Sequence, residues 1–125
     1  MTLADAVTAH DEALRYGGRD GISSLHLIES GLARPYSGYH RSMDSKAAAL
    51  LHSMVGNHGF VDDANKRTAW ILVELLIDRS GHCLTIADDE PIDDLVVAVA
   101  AGTMSFPELR TWFSARLARI ATPAP

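Results

Sequence analysis

The sequence predicts an all-α protein, a single domain of about six helices. Apolar residues recur every three or four positions along most of the chain, which is the spacing of one helix face. Serine, glycine and proline interrupt this pattern at intervals typical of helices in globular proteins. Strand-like segments are too few for a sheet, and 125 residues suit one domain. We expect residues 1–121 to form the domain and residues 122–125 to be a flexible tail.

Three helices are predicted in the first half of the chain, at residues 3–15, 23–33 and 43–57. Gly17 and Gly18 end the first helix, because glycine is common just after a helix C-terminus. Ser23 or Ser24 caps the second, since a serine oxygen can accept a hydrogen bond from a free N–H of the first turn. A loop at residues 34–42 then leads to the third helix.

Three more helices are predicted in the second half, at residues 65–79, 91–101 and about 105–120. Gly81 ends the fourth helix, and Pro91 suits the first position of the fifth. Ser105 with Glu108 three residues later has the pattern of a capping box at the start of the sixth. Apolar residues at helical spacing extend that last helix to Ile120.

Composition and charge exclude several classes of function. The net charge of −5 argues against nonspecific binding of nucleic acid, which requires a basic surface. No apolar run is long enough to span a membrane, and the first residues do not resemble a signal peptide. Cys83 is the only cysteine, so no disulfide can form within the chain. We therefore expect a cytoplasmic protein that binds neither nucleic acid nor a membrane.

The most informative segment is residues 57–69, which reads NHGFVDDANKRTA. One predicted helix ends at its beginning and another starts at Asn65. Free N–H groups and the helix dipole make a helix N-terminus attractive to an anion such as phosphate. Lys66 and Arg67 add positive charge at the same end, and arginine can hold two phosphate oxygens at once. This segment therefore predicts a phosphate-binding site.

Two further residue types in this segment suit phosphoryl transfer. Asp62 and Asp63 precede the predicted helix, and Mg²⁺ is commonly held by one or two carboxylates together with substrate phosphates. His58 has an imidazole whose ordinary pKa suits a general base near neutral pH. Binding of phosphates, neutralisation of their charge and acceptance of a proton are the main requirements of this reaction.

The segment resembles the signature of the Fic superfamily. In that signature, a histidine and a phenylalanine precede an acidic residue, a small residue, an asparagine and a glycine or lysine. Residues 63–69 are most similar to the death-on-curing (Doc) branch, and the likeness extends over residues 8–117. The resemblance implies a Fic/Doc-like domain in which His58 is the catalytic histidine and Phe60 anchors the motif. It also implies that the nucleotide phosphates bind to three consecutive residues, Asn65, Lys66 and Arg67.

The metal-binding position is ambiguous because this sequence has one residue more than the family pattern between His58 and Asn65. Counting forward from His58 places the metal carboxylate at Asp62. Counting back from Asn65 places it at Asp63. We favour Asp63, because it is joined to the helix start without an interruption, and keep Asp62 as the alternative.

The identity of residue 66 bears on the reaction that the resemblance implies. Fic enzymes that transfer a nucleotidyl group usually have glycine there, whereas Doc proteins have lysine, as this chain does. The resemblance therefore implies a toxin of a toxin–antitoxin system that uses ATP and Mg²⁺ to phosphorylate a protein hydroxyl. The Doc branch is known for phosphorylating a translation elongation factor. Transfer of AMP to a protein is one alternative, and an inactive Fic-like binding or regulatory module is another.

Two features of the sequence concern the target protein and a separate inhibitor. In Fic-like folds, a flap before the active-site helix helps to hold the target. The resemblance implies this role for the loop at residues 34–42, with Tyr36 and Tyr39, and an ordinary surface loop is the alternative. Many Fic proteins also carry an internal inhibitory motif with a serine or threonine four residues before a glutamate. Ser24 and Glu29 come nearest to that spacing but are five positions apart. We therefore expect inhibition by a separate antitoxin acting in trans.

Overall fold

The computed structural model describes residues 1–15, 22, 24–36, 38, 40–56 and 65–120. Within these ranges the chain forms α1 (Leu3–Leu14), α2 (Leu25–Ala33), α3 (Met43–Gly56), α4 (Asn65–Arg79), α5 (Ile92–Ala101) and α6 (Phe106–Ser114). A short 3₁₀ turn at Arg34–Tyr36 follows α2, and two short strands, β1 (His82–Leu84) and β2 (Leu117–Arg119), pair with each other. The prediction of an all-α fold with six helices is confirmed.

Side-chain caps fix several of the helix starts. Ser24 caps α2, and its hydroxyl accepts a hydrogen bond from the N–H of Leu27. Ser105 and Glu108 form the predicted capping box at the start of α6. A second capping box, which the sequence interpretation did not identify, joins Thr2 and Asp5 at the start of α1. These bonds satisfy N–H groups that have no partner within the helix.

The core is built around α3 and α4, which pack against each other. Helix α1 covers α4, while α2, α5 and α6 pack against α3. The apolar stripes predicted for the two central helices are buried as expected; they consist of Ala47, Leu50, Leu51, Met54 and Val55 on α3 and Ala69, Leu72, Val73, Leu76 and Ile77 on α4. Because α4 is packed along most of its length, the core fixes the position of its first turn.

Aromatic residues close the core between α4 and α6. The rings of Trp70 and Phe113 are nearly parallel with centroids 6.3 Å apart, and Trp112 packs edge-on against both. The Arg116 guanidinium lies 4.2 Å from the centroid of the Trp112 ring, and its Nε donates a hydrogen bond of 2.6 Å to Glu90 Oε1. This cluster attaches the segment after α6 to the turn that precedes α5.

The prediction that the last helix extends to Ile120 is wrong. Helix α6 ends at Ser114, and the following strand pairs antiparallel with β1. The N–H of Thr85 donates to the carbonyl of Arg116 (2.8 Å), and the N–H of Ile120 donates to the carbonyl of Gly81 (2.9 Å). The interpretation that strand-like segments are too few for a sheet missed this two-stranded ribbon. These interstrand hydrogen bonds replace the backbone hydrogen bonds that another turn of helix would have supplied.

The turn before β1 depends on Gly81, whose φ of +73° is a conformation that other residues rarely adopt. This glycine ends α4 as predicted and directs the chain into the strand. No helix in the part of the chain that the structure describes is both long enough and apolar enough to cross a bilayer.

Candidate functional site

The structure describes three of the seven predicted site residues. Asn65, Lys66 and Arg67 are the first three residues of α4, so the predicted helix start is confirmed. The other four, which are His58, Phe60, Asp62 and Asp63, lie outside the described residues. The roles of all seven residues stay predictions, and the described part of the site is the first turn of α4.

The three residues of this turn differ in their exposure. Asn65 is buried, with 6% of its surface exposed, whereas Lys66 is half-buried and Arg67 is exposed. Asn65 shares the buried face of the helix with Thr68 and Ala69. The packing therefore holds one polar residue inside the protein and leaves two cationic residues at or near its surface.

The charge of this turn is opposite to that of most other helix starts in the molecule. An acidic residue lies in the first turn of α1, α3, α5 and α6, where it complements the helix dipole; these residues are Asp5, Asp44, Asp93 with Asp94, and Glu108. Helix α4 has no acidic residue there and contains Lys66 and Arg67 in its first turn. Cations at a helix N-terminus oppose the dipole by roughly 0.3–1 kcal/mol each, and a bound anion would reverse that effect.

A groove of about 700 Å³ begins at Lys66 and Arg67 and lies between α4 and α5. Its remaining lining residues are Trp70, Ile71, Ile92, Asp93, Val96 and Val97. Most of them are apolar, and Val97 is 52% exposed. The basic helix start therefore borders an apolar surface that is open to solvent.

The groove was not predicted from the sequence. Residues 95–101 are apolar on more than one face of α5, and this was the available signal, because a helix that packs on one side needs only one apolar face. The pattern does not reveal which other helix forms the opposite wall. That pairing depends on the tertiary packing of α4 against α5.

The loop at residues 34–42 is anchored near both of its ends. Pro35 is buried, and the Tyr36 hydroxyl accepts a hydrogen bond from the N-terminal ammonium group of Met1 (3.2 Å). At the other end, His40 Nδ1 lies 2.7 Å from the hydroxyl oxygen of the buried Ser45. The His40 ring also packs against Phe106, with centroids 5.5 Å apart. These contacts attach the loop to the body of the protein.

The pKa of His40 is lower than usual. Burial of the ring is the main cause, and the nearby charges of Arg34 and Arg110 act in the same direction. His40 was not singled out in the sequence because it has no neighbour at a spacing typical of ligands. In the structure it is a packing residue of the loop. Tyr39, the second tyrosine of the predicted flap, lies outside the described residues.

No group of three or more histidine, cysteine, aspartate or glutamate side chains that could hold a metal ion occurs among the described residues. The two carboxylates predicted to bind Mg²⁺, Asp62 and Asp63, lie outside those ranges. Which of the two would bind the ion stays open.

Comparison with known proteins places the chain in a family. The structure defines a small, mainly helical protein in which the first turn of one central helix contains two cationic residues. No protein-family model matches the chain. The chain is similar to a protein named Toxin Doc from Mycolicibacterium smegmatis, with 35% identity over 105 residues that cover 77% of this chain and 76% of that relative. At this identity and coverage, the chain belongs to the Doc toxin family of the Fic superfamily.

Proposed function

We propose that the protein is a Doc-like toxin of a toxin–antitoxin system that uses ATP to phosphorylate a hydroxyl group of a target protein. The observation that carries this proposal is the first turn of α4, where Lys66 and Arg67 occupy a position that most other helices of the molecule give to an acidic residue. Membership of the Doc family supports it independently.

In this proposal, the start of α4 binds the phosphates of ATP. The N–H groups of the first turn donate hydrogen bonds to phosphate oxygens, and the positive end of the helix dipole favours their charge. Arg67 is exposed and can grip two phosphate oxygens, whereas Lys66 acts as a point charge. Asn65 is buried, so the packing of α4 can hold its amide in a fixed orientation.

The chemical step belongs to His58 in the proposed mechanism. Its imidazole accepts the proton of the target hydroxyl while the hydroxyl oxygen forms a bond to the γ-phosphorus of ATP. The bond between the γ-phosphorus and the oxygen that bridges it to the β-phosphate breaks, and ADP leaves with that bonding pair. Phe60 anchors the segment that carries His58. Asp63, or Asp62, would hold Mg²⁺ together with the phosphates, and the ion would neutralise their charge.

Lys66 is the reason for proposing transfer of the γ-phosphoryl group instead of AMP. Lysine at this position is a feature of the Doc branch, and glycine is usual in the nucleotidyl-transferring enzymes. The proposed target is a translation elongation factor, as the resemblance to the Doc branch suggests. An antitoxin acting in trans is the second proposed partner, because the relative is named a toxin and this sequence lacks the internal inhibitory spacing.

The proposal is tested with ATP labelled on either the α- or the γ-phosphate. The wild-type protein and a His58→Ala variant are incubated with Mg²⁺ and a purified elongation factor, and in parallel with a bacterial lysate. His26→Ala is the matched control, since His26 is exposed on α2. We expect γ-label on the target with the wild type and the control, and at least about a 100-fold loss with His58→Ala.

Three results would change the proposal. Transfer of α-label that depends on His58 would identify the protein as an AMP transferase. Binding of ATP without transfer of either label would favour a regulatory module. Equal transfer by the His58→Ala variant would exclude His58 as the base.

A further inference from the structure

Thr68 differs from a threonine in an ordinary helical environment. Its side chain is completely buried, and its Oγ1 has no hydrogen-bond partner among the residues that the structure describes. Thr111, which is exposed on α6, shows the usual behaviour: its hydroxyl donates to the carbonyl of Pro107 four residues earlier (3.0 Å). The Thr68 hydroxyl is therefore the exception that requires an explanation.

Thr68 lies directly behind the basic turn. It follows Asn65 by three positions, so the two residues are neighbours on the buried face of α4. Lys66 and Arg67 lie between them in sequence. Thr68 therefore lies within one helical turn of Asn65, and a change in the backbone conformation of this first turn would move its hydroxyl.

An unpaired buried hydroxyl opposes folding, because the group loses its hydrogen bonds to water and gains none in return. Valine has nearly the same shape and would fill the same space without that penalty. Polar residues that lower stability in this way are expected at functional sites, where another interaction offsets the loss.

We propose that Thr68 is a positioning residue whose hydroxyl gains its hydrogen-bond partner when phosphate binds at the start of α4. The acceptor is the carbonyl of Asn65, three residues earlier, which is within reach of a threonine side chain in a helix. A bound phosphate draws the N–H groups of the first turn towards it, and the new bond holds the turn in that arrangement. This inference rests on the proposed function, since it requires that phosphates bind to this turn.

The test measures folding stability and phosphate binding in the same set of variants. Thr68→Val removes the hydroxyl and keeps the shape, Thr68→Ser keeps the hydroxyl and removes a methyl group, and Thr111→Val removes a paired hydroxyl on a different helix, α6. Tm is measured without ligand, and Kd is measured for tripolyphosphate and for ATP with Mg²⁺.

The two substitutions at position 68 should have opposite effects on Tm, and only Thr68→Val should change the Kd. Thr68→Val should raise Tm by about 4 °C and weaken phosphate binding by roughly tenfold. Thr68→Ser should lower Tm and bind phosphate as the wild type does. Thr111→Val should lower Tm slightly and leave Kd unchanged. A purely structural threonine would not separate stability from binding in this way.

Each contrary result identifies what has failed. If the wild type binds the ligands and Thr68→Val binds them equally well, the positioning role is excluded while the proposed function stands. A fall in Tm for Thr68→Val would show that the hydroxyl is already paired in the free protein, and this also overturns the inference. If the wild type binds neither ligand, the phosphate site and the role of Thr68 are both excluded.

Discussion

The two ends of helix α4 are built in opposite ways. At the C-terminal end, Arg79 complements the helix dipole and donates two hydrogen bonds of 2.9 Å to the carboxylate of Asp5 in the first turn of α1. At the N-terminal end, Lys66 and Arg67 oppose the dipole, and the first turn has no acidic residue. The charge of Arg79 is paired with another helix of the protein, whereas Lys66 and Arg67 are the residues proposed above to bind an external anion.

In the proposed function, one end of α4 contributes to stability and the other end binds the ligand. The Arg79–Asp5 pair has bidentate geometry, which favours a specific contact over a loose surface ion pair. It links the end of α4 to the start of α1. The position of the N-terminal end is fixed by the packing of α4 in the core, and Lys66 and Arg67 oppose the helix dipole there.

Reversing the charge of Lys66 should give the largest effect. The variant Lys66→Glu places an acid in the first turn of α4, which should stabilise the free protein by about 0.3–1 kcal/mol. It should also repel the phosphates and lower the rate of transfer by about 100-fold. Tm and the single-turnover transfer rate are measured together.

The control for this variant is Arg119→Glu, which makes the same change in charge at an exposed position of β2. It should leave the transfer rate unchanged. Loss of stability in Lys66→Glu, or an unchanged rate, would contradict the assignment of this end to anion binding.

A smaller effect is expected at the opposite end. Arg79→Gln removes the pair with Asp5, so the variant should unfold at a lower temperature, but the Kd for phosphate should be unchanged, because the substitution lies at the far end of α4. Thermal unfolding measures the expected fall in Tm, and a binding titration measures the Kd for phosphate. Arg119→Gln provides the control for the loss of one positive charge. Weaker phosphate binding in Arg79→Gln with no change in Tm would reverse the proposed division between the two ends.

The smallest effect is a dependence of stability on pH. Hydrogen bonds, first from Arg79 and then from the backbone of Thr2, hold the pKa of Asp5 well below its ordinary value of 3.8. A lowered pKa in the folded state stabilises the protein above pH 3.8, and this contribution is lost as the pH falls towards the folded pKa. The difference in stability between wild type and Arg79→Gln should be constant near neutral pH and shrink in acid. Unfolding by urea at a series of pH values measures it, and a difference that grows in acid would contradict this linkage.

The sequence predicted the helices well because their signals are local. The apolar stripes of α3 and α4 and the capping box of Ser105 and Glu108 depend on residues a few positions apart. The error at Ile120 has the opposite origin. The residues after Ser114 continue a helical pattern, but their backbone pairs with His82–Leu84, which is distant in sequence. The apolar pattern of a single helix contains no information about a strand that is distant in sequence.

The site was predictable to a different degree. The start of α4 at Asn65 and the basic character of its first turn follow directly from the sequence. Two features do not, because both depend on which surfaces pack together. They are the groove against α5 and the buried Thr68 hydroxyl, which has no hydrogen-bond partner among the described residues. The roles predicted for His58, Phe60, Asp62 and Asp63 come from the family resemblance, and the experiments above test the role of His58.

The pairing of β1 with β2 also affects the order in which parts of the fold can form during synthesis. Strand β1 is made soon after α4, but its partner Leu117–Arg119 leaves the ribosome only after α5 and α6 have been translated. Contacts between α3 and α4 can form earlier, since local contacts close short loops. The contact of Arg116 with Glu90 and Trp112 must wait as well. A nascent chain that stops before residue 117 would therefore have its central helices but lack the ribbon that joins the end of α4 to the segment after α6.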